Sequence, residues 1–130
     1  MSMSDSATPL GKVRGTGSAH QGGDHWLHER LVSAALLFLS LWLVASLLLL
    51  PQIDRNTLVE WLSQPSGAIP MALFVIAAFD HAIDGLKVAI DDYVHDGASR
   101  LLATGFVRFA GIGGMALALF SLAKIAFGAH

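Results

Sequence analysis

Residues 31–50, LVSAALLFLSLWLVASLLLL, run for 20 positions without a charge, and Ser33, Ser40 and Ser46 are their only hydroxyl side chains. At ~1.5 Å per helical residue the stretch covers about 30 Å, the thickness of a bilayer's hydrocarbon core. Pro51 follows at once, where a helix stop belongs. The segment is predicted to cross a membrane. Burying it in a water-soluble fold would need a far larger domain around it than a chain of 130 residues can supply.

The composition agrees. Apolar residues make up 54% of the chain with 13 glycines besides, while charged residues reach 14%, against roughly 25% in soluble domains. Mean hydropathy is +0.59. This excludes disorder for most of the chain and leaves no room for an ordinary soluble enzyme. Eight Lys/Arg against ten Asp/Glu give a formal charge of −2, so no basic excess points to nucleic acid. The lack of cysteine removes disulfides, thiolate nucleophiles, cysteine-bound zinc and iron–sulfur clusters. About thirty mostly polar residues come before the first apolar run, the reverse of a secretory signal's order.

Residues 1–24, rich in Ser, Gly, Thr and Ala, are expected to form a flexible tail. Asp24 is placed to cap a helix starting near His25, with Trp26 at the membrane interface. Residues 25–127 are predicted to form a three-helix transmembrane domain with spans at about 31–50, 68–90 and 101–123. Between the first two spans, Leu58, Val59, Trp61 and Leu62 recur at helical spacing and predict a short amphipathic helix, broken by Pro65, Gly67 and Pro70. The second span contains Asp80, His81, Asp84 and Lys87 among aliphatic residues. Ionisable groups at that depth are costly and should face a partner, a cofactor or a cavity. In the third, Arg108 either snorkels or marks a later helix start. Ala110, Gly114 and Ala118 form a stripe of small residues fit for close helix packing, within the chain or against another subunit.

The fold class is thus an all-α membrane protein with three transmembrane helices. Lys12, Arg14, Arg30, Lys87, Arg100 and Arg108 fall on one side and Arg55 and Lys124 on the other. The positive-inside rule then places the N-terminus in the cytoplasm and the C-terminus across the membrane. Three helices with polar groups in the middle one look unfinished alone, and a partner is implied.

On a helical wheel, Asp84, Gly85, Val88 and Asp92 lie within about 60° of His81. Gly85, one turn after His81, opens a groove of the kind a flat, bulky group on an imidazole requires. Neutral imidazole is an axial ligand for haem iron, and the single deep histidine would need a second ligand from another chain. A hydrogen-bonded structural histidine and a proton-relay member working with Asp80 or Asp84 are the other readings. Tyr93, about 18 Å along the helix from His81, falls at the interface. There it is either an aromatic-belt residue or a phenol that hydrogen-bonds a quinone carbonyl, with Asp92 orienting it or delivering protons.

His81-Ala82-Ile83-Asp84-Gly85, followed by Asp91-Asp92-Tyr93-Val94-His95, resembles the second helix of the small hydrophobic anchor subunit of succinate dehydrogenase, respiratory complex II. Gly17-Ser18-Ala19, then His25-Trp26 and Arg30, resembles the stretch before that family's first helix. The resemblance covers roughly residues 17 to 127. It implies half of a heterodimeric anchor bundle, whose other half is cytochrome b556, attaching flavoprotein and iron–sulfur subunits to the membrane lipid of a bacterial or mitochondrial inner membrane. It also implies a haem b shared between the two anchor subunits. His81 then falls on the iron ligand, Arg30 on the residue near a haem propionate, and Tyr93 with Asp92 on the ubiquinone site. Asp84 departs from the family, where an uncharged residue is expected, and would need a partner such as Lys87. His95 acquires no role.

Succinate oxidation cannot take place in this chain, which has no flavin fold and no cluster cysteine; its contribution would be to quinone reduction, with no catalytic residue for the dehydrogenation. The competing classes are a structural or assembly protein of the membrane, with His81 and Tyr93 as packing residues, and a cation-transporter subunit using Asp80, Asp84 and Lys87.

Overall fold

A computed structural model describes residues 22–128, which contain four helices: α1 Gly22–Leu49, α2 Arg55–Ser63, α3 Pro65–Tyr93 and α4 Gly97–Ala126. No strand occurs among the described residues. Most of the expected tail, residues 1–21, lies outside them. Trp26–Leu49, α3 and α4 are long and apolar enough to cross a membrane. Each helix outruns its predicted apolar window, because a helix continues through polar residues for as long as the backbone ladder can be extended.

α1 begins at Gly22, so Asp24 lies in its first turn rather than at its cap. The first N–H groups of a helix have no intrahelical acceptor, which makes a backward extension through small residues cheap. α2 is the expected short helix. Asp54 caps it by accepting a hydrogen bond from Thr57 N–H at 2.8 Å. α2 ends ahead of Pro65, as anticipated, but Gly67 and Pro70 do not interrupt the chain further. Pro65 occupies the first turn of α3, where a missing N–H costs nothing, and Pro70 is carried inside the helix. Arg108 also lies within α4, which starts eleven residues before it.

Two contacts fix the corner between α2 and its neighbours. The Trp61 ring stacks on Trp42 of α1, centroids 5.6 Å apart and planes 26° from parallel. Ser63 Oγ donates to Val59 O at 2.7 Å in its own helix and approaches Ile125 O of α4 at 3.3 Å. Gly67 is buried against this corner, and a Cβ there would collide with the Trp61 carbonyl. A backbone oxygen cannot swing aside as a side chain can. Gly67→Ala is therefore expected to destabilise the chain by about 1–3 kcal/mol despite its better helix propensity. Thermal unfolding in detergent measures this; unchanged stability would mean that α2 is not fixed here.

α3 and α4 pack along most of their lengths through two glycines of α4. A Cβ at Gly111 would lie 2.5 Å from Ile83, and one at Gly114 would lie 2.8 Å from Phe79. The close approach that the stripe of small residues foretold is thus made within the chain at Gly114, with Gly111 beside it. Ala110 faces outward. Leu122 is the one buried apolar side chain among the described residues. The remaining apolar surface is turned outward, as befits a chain whose solvent is lipid.

Candidate functional site

The packing with α4 determines what α3 has left to offer. Phe79 and Ile83 point into α4, and both lie about 160° around the α3 wheel from His81. His81 therefore projects from the opposite side. It is exposed, as are Gly85, Val88 and Asp92 along the same face. A Cβ added at Gly85 would meet no atom within 4 Å, so this glycine is not spent on packing within the chain. The result is an exposed imidazole at mid-span beside a glycine with open space around it, covered by nothing of its own helix pair. Such space is what a planar macrocycle on the imidazole would require, and imidazole nitrogen is a donor that suits iron.

Tyr93 is the last residue of α3 and is 83% exposed. It stands one residue beyond Asp92, so the two flank the helix end that carries the His81 face. The turn that follows is held by its other charges. Asp96 caps α4 by accepting from Ser99 N–H at 2.8 Å. Asp91 Oδ1 stands 3.9 Å from Arg100 Nε. The Ser99 backbone and side-chain donors hold the Asp96 carboxyl below its usual range. A carboxyl lowered in the folded state stabilises above the ordinary carboxylate pKa of about 4 and loses that contribution as pH falls through the depressed value. Acidification below about pH 4 should therefore fray the first turn of α4, seen as lost hydrogen-exchange protection at Ser99. Asp96→Asn keeps the acceptor and should flatten that dependence; an unchanged acid limb would mean the cap is not its source.

Arg30 lies in the segment that ends with it. Its guanidinium sits 4.9 Å from the centre of the Trp26 ring, a cation–π contact that steadies a donor fork at the start of the apolar run.

Asp84, the departure noted in the sequence, is paired. Lys87 Nζ donates to its Oδ1 at 2.9 Å, and both side chains are partly buried. With Asp80 and with Arg108 of α4 they border a cleft of about 150 Å³. The signal for this polar flank was the spacing of Asp80, Asp84, Lys87 and Asp91, which places all four on one side of α3. Arg108, read as a snorkelling residue, joins them from the neighbouring helix.

Residues 4–123 match the family described as succinate dehydrogenase/fumarate reductase transmembrane subunit. Several similar proteins bear the name succinate dehydrogenase hydrophobic membrane anchor subunit. That of Paracoccus denitrificans is 31% identical over 122 residues, 94% of either chain. That of Rickettsia bellii (strain RML369-C) is 37% identical over 83 residues, 64% of this chain and 66% of its own. That of Rickettsia conorii (strain ATCC VR-613 / Malish 7) is 32% identical over 84 residues, 64% of this chain and 67% of its own. The matched region thus spans about two thirds of the Rickettsia relatives and nearly all of the Paracoccus one. No solved structure matches.

Proposed function

Because the chain belongs to the family of succinate dehydrogenase/fumarate reductase transmembrane subunits, we propose that it is the small membrane anchor of a succinate:quinone oxidoreductase. In this reading it shares one haem b with a second three-helix subunit, cytochrome b556. It also holds ubiquinone beside the docked iron–sulfur and flavoprotein subunits, with its N-terminus in the cytoplasm and its C-terminus across the inner membrane. One observation carries the reading: an exposed mid-span imidazole and an open glycine share a face of α3 that points away from α4.

His81 would supply a nitrogen donor to the haem iron, and Gly85 the space beside it. When bound, the haem would supply a one-electron redox centre. Arg30 would offer its fork to a propionate, a pairing that favours a planar guanidinium over an ammonium. Tyr93 donates its phenolic hydrogen to a quinone carbonyl, and Asp92 beside it orients the phenol. Electrons enter from the iron–sulfur subunit, which supplies the cluster cysteines that this chain lacks.

Purification of the tagged chain from its native membranes tests the proposal. The expected preparation contains the second anchor subunit, flavin, iron–sulfur clusters and a low-spin b haem, and reduces ubiquinone with succinate. A chain recovered free of haem and of those subunits would overturn it in favour of a structural or assembly role. Cation-dependent flux through the chain alone would favour transport.

A further inference from the structure

The turn between α3 and α4 contains two ionisable groups, Asp92 and His95, for which neither packing nor capping accounts. Asp96 is committed to the α4 cap and Asp91 to Arg100. Asp92 and His95 remain, both exposed and neither held by a hydrogen bond or ion pair among the described residues. Val94 links Tyr93 to His95 in extended conformation, φ −103° and ψ 100°, and is itself half-buried. An extended residue sets the Cα atoms of its two neighbours roughly 6–7 Å apart. Tyr93 and His95 are thus two exposed groups close together at the end of α3.

Resting on the reading of Tyr93 as the quinone-binding phenol, we propose that His95 is the proton donor to the quinone oxygen that Tyr93 holds. Reduction of a quinone to a quinol adds two electrons and two protons. The electrons come from the iron–sulfur subunit of the complex. The imidazolium N–H of His95 passes its proton to the oxygen held by Tyr93, and the neutral ring regains one from water at the exposed turn. The second oxygen takes its proton from the same water.

Chemistry favours imidazole over carboxylate for this task. Imidazole is the side chain suited to shuttling protons at neutral pH, with one ring nitrogen able to donate while the other accepts. The other charges that the ends of α3 and α4 bring to this turn are Asp91, Asp92, Asp96 and Arg100, with Lys87 deeper along α3. Asp92, the uncommitted carboxylate, can assist by keeping the imidazolium and the phenol oriented.

The test uses the assembled complex and compares succinate–ubiquinone reduction with succinate oxidation by a soluble dye across pH 5.5–8.5. For His95→Gln the quinone reaction at pH 6.5 is expected to fall about tenfold or more. Its limb near neutral pH should flatten, while the dye reaction and the haem spectrum stay as in the parent. His95→Lys, which puts an ammonium in place of the imidazole, should show the same loss. Free imidazole should restore part of the rate in His95→Ala. A His95→Gln complex with the parent's rate and pH profile overturns the proposal, and so does a His95→Lys complex with full activity. Tyr93→Phe separates the layers: if it slows quinone reduction while the His95 variants do not, the proton assignment alone fails. If neither does, the quinone site itself lies elsewhere.

Discussion

His81→Ala is expected to abolish the low-spin b-type spectrum of the complex, or convert it to a high-spin form, while the chain remains inserted with its partners. The expectation rests on geometry: His81 lies on the face of α3 that α4 leaves uncovered, at mid-span, with the cleared surface of Gly85 one turn away. Removing the imidazole leaves five-coordinate iron or none. Because His81 makes no packing contact with α4, alanine there should leave the α3–α4 pair intact. Gly85→Leu serves as a companion. Nothing lies within 4 Å of a Cβ at that position, so the isolated chain should melt as the parent does. In the complex, however, the leucine would occupy the groove, and haem content should drop. A Gly85→Leu complex with full haem would show that the groove is not where the macrocycle lies. Optical spectra and a haem assay on purified complex measure both variants.

Tyr93→Phe is the second large effect expected. The substitution retains the ring and its place at the helix end and deletes only the hydroxyl. Losing a hydrogen bond to a neutral ligand costs about 0.5–1.5 kcal/mol, roughly a two- to tenfold fall in rate or affinity, and more if the bond tightens as charge develops on the quinone oxygen. Succinate–ubiquinone reduction should fall accordingly. Oxidation of succinate by a dye that takes electrons upstream should stay near normal. Both activities unchanged would make Tyr93 an ordinary aromatic-belt residue. A joint fall with loss of haem would instead make it a residue of assembly. Asp92→Asn should give the same split between acceptors if the carboxylate orients the phenol.

Periodicity and hydropathy made the three long helices legible, because a lipid-facing chain must conceal its backbone polar groups within helices and display apolar side chains around them. The same logic located the ends less well. Asp91 and Asp92 belong to the last turn of α3, and Arg108 lies well inside α4, where it borders a cleft with Asp80, Asp84 and Lys87, so the ladder continues past the apolar window. Pro65 falls at the boundary between α2 and α3, as the sequence suggested, whereas Pro70 misled, because α3 carries it inside the helix.

The register of the candidate site could be read as well, for the period of α3 alone puts His81, Gly85, Val88 and Asp92 together. Their outward orientation could not. That follows from where α4 docks, through Gly111 and Gly114 onto Ile83 and Phe79, and the sequence left the glycine stripe open between internal packing and a foreign subunit. The corner at Trp42, Trp61, Ser63 and Ile125 joins residues far apart in sequence and left no pattern to find. His95 carries no signal in the sequence, because it lies in the short turn between α3 and α4, where no helical period relates it to the site residues.

In the proposed assignment His81 is one of two histidine ligands to a haem shared between this chain and a second anchor subunit. Near-infrared magnetic circular dichroism of the oxidised His81→Met complex tests it most directly, because the charge-transfer band of low-spin haem reports the pair of axial ligands. The parent complex should show a bis-histidine band, replaced in the variant by a histidine–methionine band or by loss of the low-spin form. A bis-histidine band unchanged in position and intensity in the His81→Met complex would contradict it.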